Sequence, residues 1–451
     1  MHQGARVAFH TLGCKLNYSE TATLARHLQQ KGMTVVPFED AADIYVLNTC
    51  SVTDNAEKEC RQWVRRLRRR QPQARIVVTG CYAQLQPQQI AAMGVDLVLG
   101  MAEKFQLADY LSTLSEGPTS PVVSCGRSDR LTEFHHSFSL GERTRSFLKI
   151  QDGCNYHCSF CTIPLARGES RSPTIAEVVQ QALALQQAGA QEVVLTGVNV
   201  GDFGIINGKR KAHLLNLLEA LEQQTQIPRF RISSVEPNLL TDELIDFLAG
   251  SCRFMPHLHL PLQSGSDRIL ASMRRRYKAA FYADRVEKLK SSIPHCCIGA
   301  DVITGFPGET DEDFEQTYTL LRDLPVDYLH VFTYSERPNT EALRYGEVIP
   351  IPVRKQRTHV LRSLSDRKRR LFYAAQLGKV RPVLFEHGCT ENGLPAGYTD
   401  NYVYVSAAEG RAGSVLPVLL ERLNDSVVHG TVLHDFTESR ISAIDPLLAS
   451  H

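Results

Sequence analysis

Between Arg6 and Leu114, short apolar runs alternate with segments of helical period: RVAFH, 20–30, TVVPF, IYVLN, 57–70, RIVVT, 86–93, DLVLG and 104–114. This alternation predicts a doubly wound parallel sheet with helices on both faces. Cysteines recur at one structural place in it: Cys14 follows RVAFH, Cys50 follows IYVLN and Cys81 follows RIVVT. Each lies just past the carboxyl end of a predicted strand, where open α/β sheets form ligand crevices, so residues distant in sequence converge there. Residues 115–142, with SEGPTSP and no period, read as linker.

A second series begins near Arg145 with SFLKIQ, EVVLTG, FRISSV, HLHLPL, CIGADVITGF and YLHVFTY, separated by helical segments. Six such strands predict a partial (βα)6 barrel, with function at the carboxyl ends of the strands. A long helical pattern over 353–377, rich in Arg and Lys, leads to KVRPVLFEH, NYVYV, GSVLPVLLERL and SVVHGTVLHDF, which read as a small β-barrel. The expected organisation is an α/β domain at 1–120, a linker at 121–143, the partial barrel at 144–376, the β domain at 377–440 and a tail at 441–451.

Composition narrows the class. The 451 residues are 43% hydrophobic and 22% charged, close to the globular norm, so long disorder and a fibrous repeat are excluded. Fifty Lys and Arg face 49 Asp and Glu, so any nucleic-acid footprint must be local. Two runs supply one: seven arginines in 61–75, and eight basic residues with the single acidic Asp366 in 354–370. A solvated helix face is the alternative for either run. No secretory signal or apolar span is present, so a cytoplasmic protein with no membrane partner is expected. In a reducing compartment, twelve cysteines are metal ligands, reactive thiols or buried apolar residues.

The sharpest motif follows the first strand of the second series. DGCNYHCSFC places Cys154, Cys158 and Cys161 in a CxxxCxxC loop. Three close thiolates with no fourth nearby would hold a four-iron cluster with one iron open to a small molecule. A zinc knuckle is the alternative, but zinc takes four ligands, and His157 would complete the set only with awkward geometry. Other predicted strand ends carry polar or glycine signals: Thr196, Gly197 and Asn199 in LTGVN, Ser233, Ser234 and Glu236 in SSVEP, Gln263 in LPLQSGS, and Asp301, Gly305, Gly308 and Glu309 in DVITGFPGET. Strand-to-helix turns often carry such residues as caps, yet on one rim they mark a cofactor pocket.

The CxxxCxxC loop on a partial barrel resembles the radical S-adenosylmethionine superfamily. The resemblance implies that the methionine amino and carboxylate groups bind the open iron. An electron passed to the sulfonium then yields methionine and a 5′-deoxyadenosyl radical, the cofactor carrying the hard chemistry. It further assigns Gly197 to the motif near the methionine amino group, Glu236 to the ribose and Gly305 to the adenine-side loop. GCKLN, NTCSV and GCYAQ resemble the amino-terminal domain of methylthiotransferases, which implies a second 4Fe-4S cluster on Cys14, Cys50 and Cys81 that presents the transferred sulfur. On their own these three cysteines have a buried-residue alternative. Cys60, Cys125, Cys252, Cys296, Cys297 and Cys389 match no ligand position.

TLGCKLN, GCNYHCSFCTIPLARG, FRISSVEP and HLHLPLQSGSDRIL are similar to the branch that acts on N6-threonylcarbamoyladenosine beside the tRNA anticodon. Tyr18 and Ser19 depart from that branch's usual residues. The branches that act on isopentenyladenosine or on a ribosomal-protein aspartate remain within the family, and a non-catalytic, metal-binding RNA-binding protein is the alternative outside it. The resemblance therefore implies two 4Fe-4S clusters, S-adenosylmethionine, a tRNA partner and an electron donor such as a flavodoxin or ferredoxin, and leaves the sulfur source open. The β domain resembles TRAM, an RNA-binding module, and Tyr398, Tyr402 and Tyr404 near Arg381 suit stacking on bases.

Overall fold

The computed structural model describes residues 4–51, 54–113, 120–140 and 144–434. The expected tail at 441–451 lies outside them. In the amino-terminal part six strands, β1 (Arg6–Thr11), β2 (Thr34–Val36), β3 (Ile44–Thr49), β4 (Arg75–Gly80), β5 (Leu97–Leu99) and β6 (Val122–Ser124), form one sheet in the order β2-β1-β3-β4-β5-β6. Every pairing is parallel. All six residues of β3 are buried, as a central strand covered on both faces requires, which explains why IYVLN reads as a continuous run. The order reverses between β1 and β3, the point at which doubly wound sheets open a crevice. β6 corrects the linker expected at 121–143. Val122, Val123 and Ser124 pair with β5, so the sheet extends to Ser124.

The second part has six barrel strands: β7 (Arg145–Lys149), β8 (Glu192–Thr196), then, after a hairpin of β9 (Ile205–Ile206) and β10 (Lys209–Arg210), β11 (Arg229–Ile232), β12 (His257–His259), β13 (Cys297–Thr304) and β14 (Tyr328–Thr333). β7, β8 and β11 pair in parallel, as do β12, β13 and β14. Parallel bridges Phe230 to Phe254 and Ser234 to His259 join the two sets into the predicted partial barrel. Its core lies between strands and outer helices, with Leu195, Phe230, Leu258, Ala300 and Leu361 fully or almost fully buried. Two helices start on capping boxes, Thr174 with Glu177 and Thr310 with Asp313. The long basic helix, Ile351–Ala374, packs against β13 and β14.

The carboxy-terminal part is a closed barrel of β15 (Val380–Cys389), β16 (Pro395–Thr399), β17 (Tyr404–Ser406), β19 (Val427–Val432) and β18 (Val415–Asn424), in that circular order. PAGYT, the segment of β16, is absent from the sequence expectation because Pro, Ala and Gly carry little strand preference. This barrel sits across the amino ends of the partial-barrel strands. Glu192 accepts from Arg229 Nε and Arg231 Nε, each at 2.9 Å. The two guanidinium groups donate onward to the carbonyls of Thr399 and Asp400, each at 3.1 Å. Tyr402 stacks on His257 at 4.0 Å and on Tyr398 at 4.7 Å, while Arg145 lies 5.1 Å over Tyr398. Arg381 is 3% exposed and bonded to Asp400. Tyr398, Tyr402 and Arg381 thus form the seam between domains, which corrects their expected role as an RNA-stacking surface. Tyr404 is half-buried, its backbone amide bonded to the Tyr373 hydroxyl.

Candidate functional site

The first cysteine set lies where the strand order reverses. Cys14 follows β1 and forms the N-cap of the helix Lys15–Gln30, Cys50 follows β3, and Cys81 opens the short helix after β4. Gly13 makes the first turn. Its φ of 116° favours glycine, and a Cβ there would meet Cys50 Cβ at 2.5 Å and Cys50 Sγ at 3.0 Å, so Cys50 packs directly beneath the Gly13–Cys14 turn. Burial pushes the Cys81 thiol up, and Arg167 and Lys104 act on it in the opposite sense. Cys14 and Lys15 are accessible, and Lys15 feels the charges of Arg145, Arg231 and Glu192 of the partial barrel. Its ammonium is pushed down to about 8, chiefly by desolvation and then by the two arginines.

The second set lies on the loop after β7. Gly153, with φ of 69°, brings its backbone against Glu169, where a Cβ would lie 1.9 Å from the carbonyl oxygen. The Cys154 amide donates to the Gly168 carbonyl at 3.0 Å, and the Cys161 amide to the Cys158 carbonyl at 3.0 Å. The amides of Tyr156 and Ile163 point at the sulfurs of Cys154 and Cys161, and Arg275 Nη1 at that of Cys158 at 3.3 Å. Burial pushes Cys154 and Cys161 up to about 12, and the sulfurs act on one another as well. Three sulfurs gathered in one loop, each met by a donor, fit ligands of an iron-sulfur cluster. Cys60, Cys296 and Cys297 are buried among core residues; Cys125 is half-buried, and Cys252 and Cys389 are exposed.

A buried ionic network, unread in the sequence, joins the two sets. Glu20, six residues beyond Cys14 on the helix that Cys14 caps, accepts from Lys104 Nζ at 2.6 Å, Lys149 Nζ at 3.1 Å and Arg167 Nη1 at 3.0 Å. Asp152, two residues before Cys154, takes Lys149 at 2.7 Å, Arg167 at 2.9 Å and Arg171 at 3.1 Å. Arg167 also donates to Asn17 Oδ1 at 2.6 Å. Burial opposes ionisation of Glu20, but Arg167, Lys104 and Lys149 hold its carboxyl well below the usual range. Two carboxylates face four cations here, all almost fully buried. That positive surplus fits anionic thiolate-bound clusters on either side.

Among the expected cofactor residues, Gly197 packs on Gln151, whose Oε1 accepts from the amides of Val198 and Asn199, each at 2.9 Å. Gln151 Nε2 donates to Gly153 O at 2.7 Å, so this residue ties the cysteine loop to the LTGVN turn. Asn199 keeps both side-chain polar atoms buried without a partner, as does the Ser233 hydroxyl. Buried orphans of this kind fit a polar ligand. Ser234 bridges to His259, and Glu236 is ion-paired with Arg275, the residue that also reaches Cys158. Gln263, at φ 72°, donates its amide to Asp301 O at 2.8 Å. Gly305 presses on Arg354, where a Cβ would lie 2.3 Å from Cγ, and its amide donates to Glu309.

Cys161 and Gln263 open on a cavity of about 680 Å³ at the carboxyl ends of the barrel strands. Asp301, on its wall, accepts from His259 Nε2 at 2.8 Å, with His330 Nδ1 at 3.4 Å. Of the basic runs, Arg65, Arg66, Arg69 and Arg70 are exposed, whereas Arg354 and Arg357 are buried on Glu336 and Glu309.

Residues 6–100 match the uncharacterized protein family UPF0004, and residues 148–321 match the radical SAM superfamily. The threonylcarbamoyladenosine tRNA methylthiotransferase MtaB of Bacillus subtilis (strain 168) is 40% identical over 423 residues, 92% of this chain and 93% of that protein. Its namesake from Aquifex aeolicus (strain VF5) is 39% identical, covering 92% and 100%. A tRNA-2-methylthio-N(6)-dimethylallyladenosine synthase from Coxiella burnetii (strain RSA 493 / Nine Mile phase I) is 33% identical over 83% and 87%. The solved radical S-adenosylmethionine methyltransferase TsrM from Kitasatospora setae, at 15% identity, shares the fold with a TM-score of 0.56 over 75% of this chain and 77% of its own. Sequence and architecture agree, and the chain belongs to the radical SAM methylthiotransferase family.

Proposed function

We propose that this protein attaches a methylthio group to the adenine C2 of N6-threonylcarbamoyladenosine in tRNA. The observation that carries the reading is the pair of three-cysteine sets joined through Glu20, Arg167 and Asp152 across one domain interface. When bound, two 4Fe-4S clusters and S-adenosylmethionine would supply a sulfur to be methylated and a radical able to activate an aromatic C–H that has no acidic proton. Cys154, Cys158 and Cys161 would hold the cluster that takes S-adenosylmethionine, and Cys14, Cys50 and Cys81 the cluster that carries sulfur. Asn199, Ser234 and Gln263 offer polar groups to S-adenosylmethionine, with Glu236 toward its ribose, Gly305 toward its adenine and the Gly197 turn toward its amino group. Arg275 holds Glu236 in place. Electrons would come from a small one-electron carrier such as a flavodoxin or ferredoxin.

The test is mass spectrometry of nucleosides from tRNA of cells lacking the gene, complemented with wild type or Cys158→Ala. Methylthio-threonylcarbamoyladenosine should vanish in the deletion and return only with wild type; an unchanged level refutes the substrate. The match to dimethylallyladenosine synthases motivates a second reading, in which the dimethylallyl product disappears instead.

A further inference from the structure

The cavity at the barrel mouth is walled by two domains. Lys58 comes from the helix Asp54–Arg70, and Lys355 and Arg362 come from the helix Ile351–Ala374. Seven residues apart, Lys355 and Arg362 stand two turns apart on one helix face. The carboxylates that line this space are already engaged, Asp301 by His259 and His330 and Glu336 by Arg354, and the lining Arg337 is paired with Glu57 at 2.8 Å. Lys58, Lys355 and Arg362 have no carboxylate partner among the described residues, and all three are exposed. Like charges converging on a concave, ligand-sized space favour an anion in it.

We propose that this cavity seats the threonine carboxylate carried by the target adenine, and that Lys355 and Arg362, with Lys58 opposite, are the residues that read it. The inference rests on the substrate reading above. The dimethylallyl substituent is a hydrocarbon with no such charge, so these cations would separate the two substrate classes. Arg362 offers a planar fork matched to a carboxylate, and Lys355 a mobile point charge beside it. A backbone phosphate next to the target nucleotide has the same anionic chemistry, and the experiment must tell the two apart.

Equilibrium binding to fluorescent anticodon stem-loops does so with the full-length chain. One RNA carries threonylcarbamoyladenosine, and the other carries the same nucleoside with its threonine carboxylate as a methyl ester. Wild type should bind the ester about tenfold more weakly, the scale of a charge-assisted hydrogen bond. The Lys355→Gln/Arg362→Gln protein should lose about the same factor on the acid and no longer distinguish acid from ester. Equal losses on both RNAs, with wild type indifferent to esterification, would assign the cations to phosphate and overturn the proposal. So would weakened binding of S-adenosylmethionine with RNA binding unaltered. Discrimination by wild type that survives in the variant moves the reader elsewhere and also overturns it. If loaded wild type binds the threonylcarbamoyl RNA but never methylthiolates it, the substrate reading fails separately. Both side chains are exposed, so matching thermal unfolding curves should confirm an intact fold.

Discussion

Arg167 Nη1 lies 3.0 Å from Glu20 Oε1 and 2.9 Å from Asp152 Oδ1, so one guanidinium spans the helix that starts at Cys14 and the loop that carries Cys154. The two cysteine sets are therefore held by a shared, buried ionic contact rather than by separate domains that merely touch. Removing one partner leaves charge buried without compensation.

Glu20→Gln should accordingly destabilise the protein by about 3–5 kcal/mol, since three cations lose a carboxylate in a fully buried site. Chemical denaturation of wild type and variant measures this. A loss below about 1 kcal/mol would mean that water enters the network.

Glu192 anchors the carboxy-terminal barrel and gives a pH signature. Burial raises its carboxyl, but Arg231 and Arg229 outweigh that and bring it from 4.5 to about 2. A depressed carboxylate stabilises the fold above its unfolded value and loses that contribution as pH falls through the folded one. The stability gap between wild type and Glu192→Gln should be full above pH 4.5 and close as pH approaches about 2, with a linked component on the order of 3 kcal/mol. Denaturant midpoints across that window check it, and a gap independent of pH contradicts it.

The two cysteine sets should separate in function. Cys158→Ala should lose about half the bound iron and all reductive cleavage of S-adenosylmethionine. Cys81→Ala should also lose about half the iron but keep cleavage while failing to form the methylthio product. Iron analysis with assay of 5′-deoxyadenosine decides this. Cleavage surviving in Cys158→Ala would sink the ligand assignment.

Gly153→Ala places a methyl 1.9 Å from the Glu169 carbonyl oxygen at a positive φ. The loop must move, at a cost of about 1–3 kcal/mol, and the cysteine spacing moves with it. We expect the iron bound by Cys154, Cys158 and Cys161 to fall sharply while far-ultraviolet circular dichroism is unchanged. Full iron content in Gly153→Ala would show a looser cradle.

The partial barrel and the CxxxCxxC loop are legible because their signals are local. Ile44 to Thr49 reads as a buried strand from its own composition, and CxxxCxxC carries its spacing within one loop. β6 was hidden by the Pro- and Ser-rich segment before it, and β16 by weak strand formers. Arg167 and Glu20 were illegible as a pair because 147 residues separate them and each resembles an ordinary helix charge. The three-dimensional fold alone brings them together. Tyr398 and Tyr402 were misread for a related reason: tyrosine with arginine suits an RNA surface and a domain seam equally, and composition cannot choose.

The stack of Tyr402 on His257, with the guanidiniums of Arg229 and Arg231 capped by backbone carbonyls, puts a floor under the half-barrel. Among the described residues the carboxy-terminal barrel therefore covers the amino ends of the strands, opposite the cavity at their carboxyl ends. On the proposed substrate reading, the target nucleotide would leave its stack to reach that cavity from the carboxyl-end side.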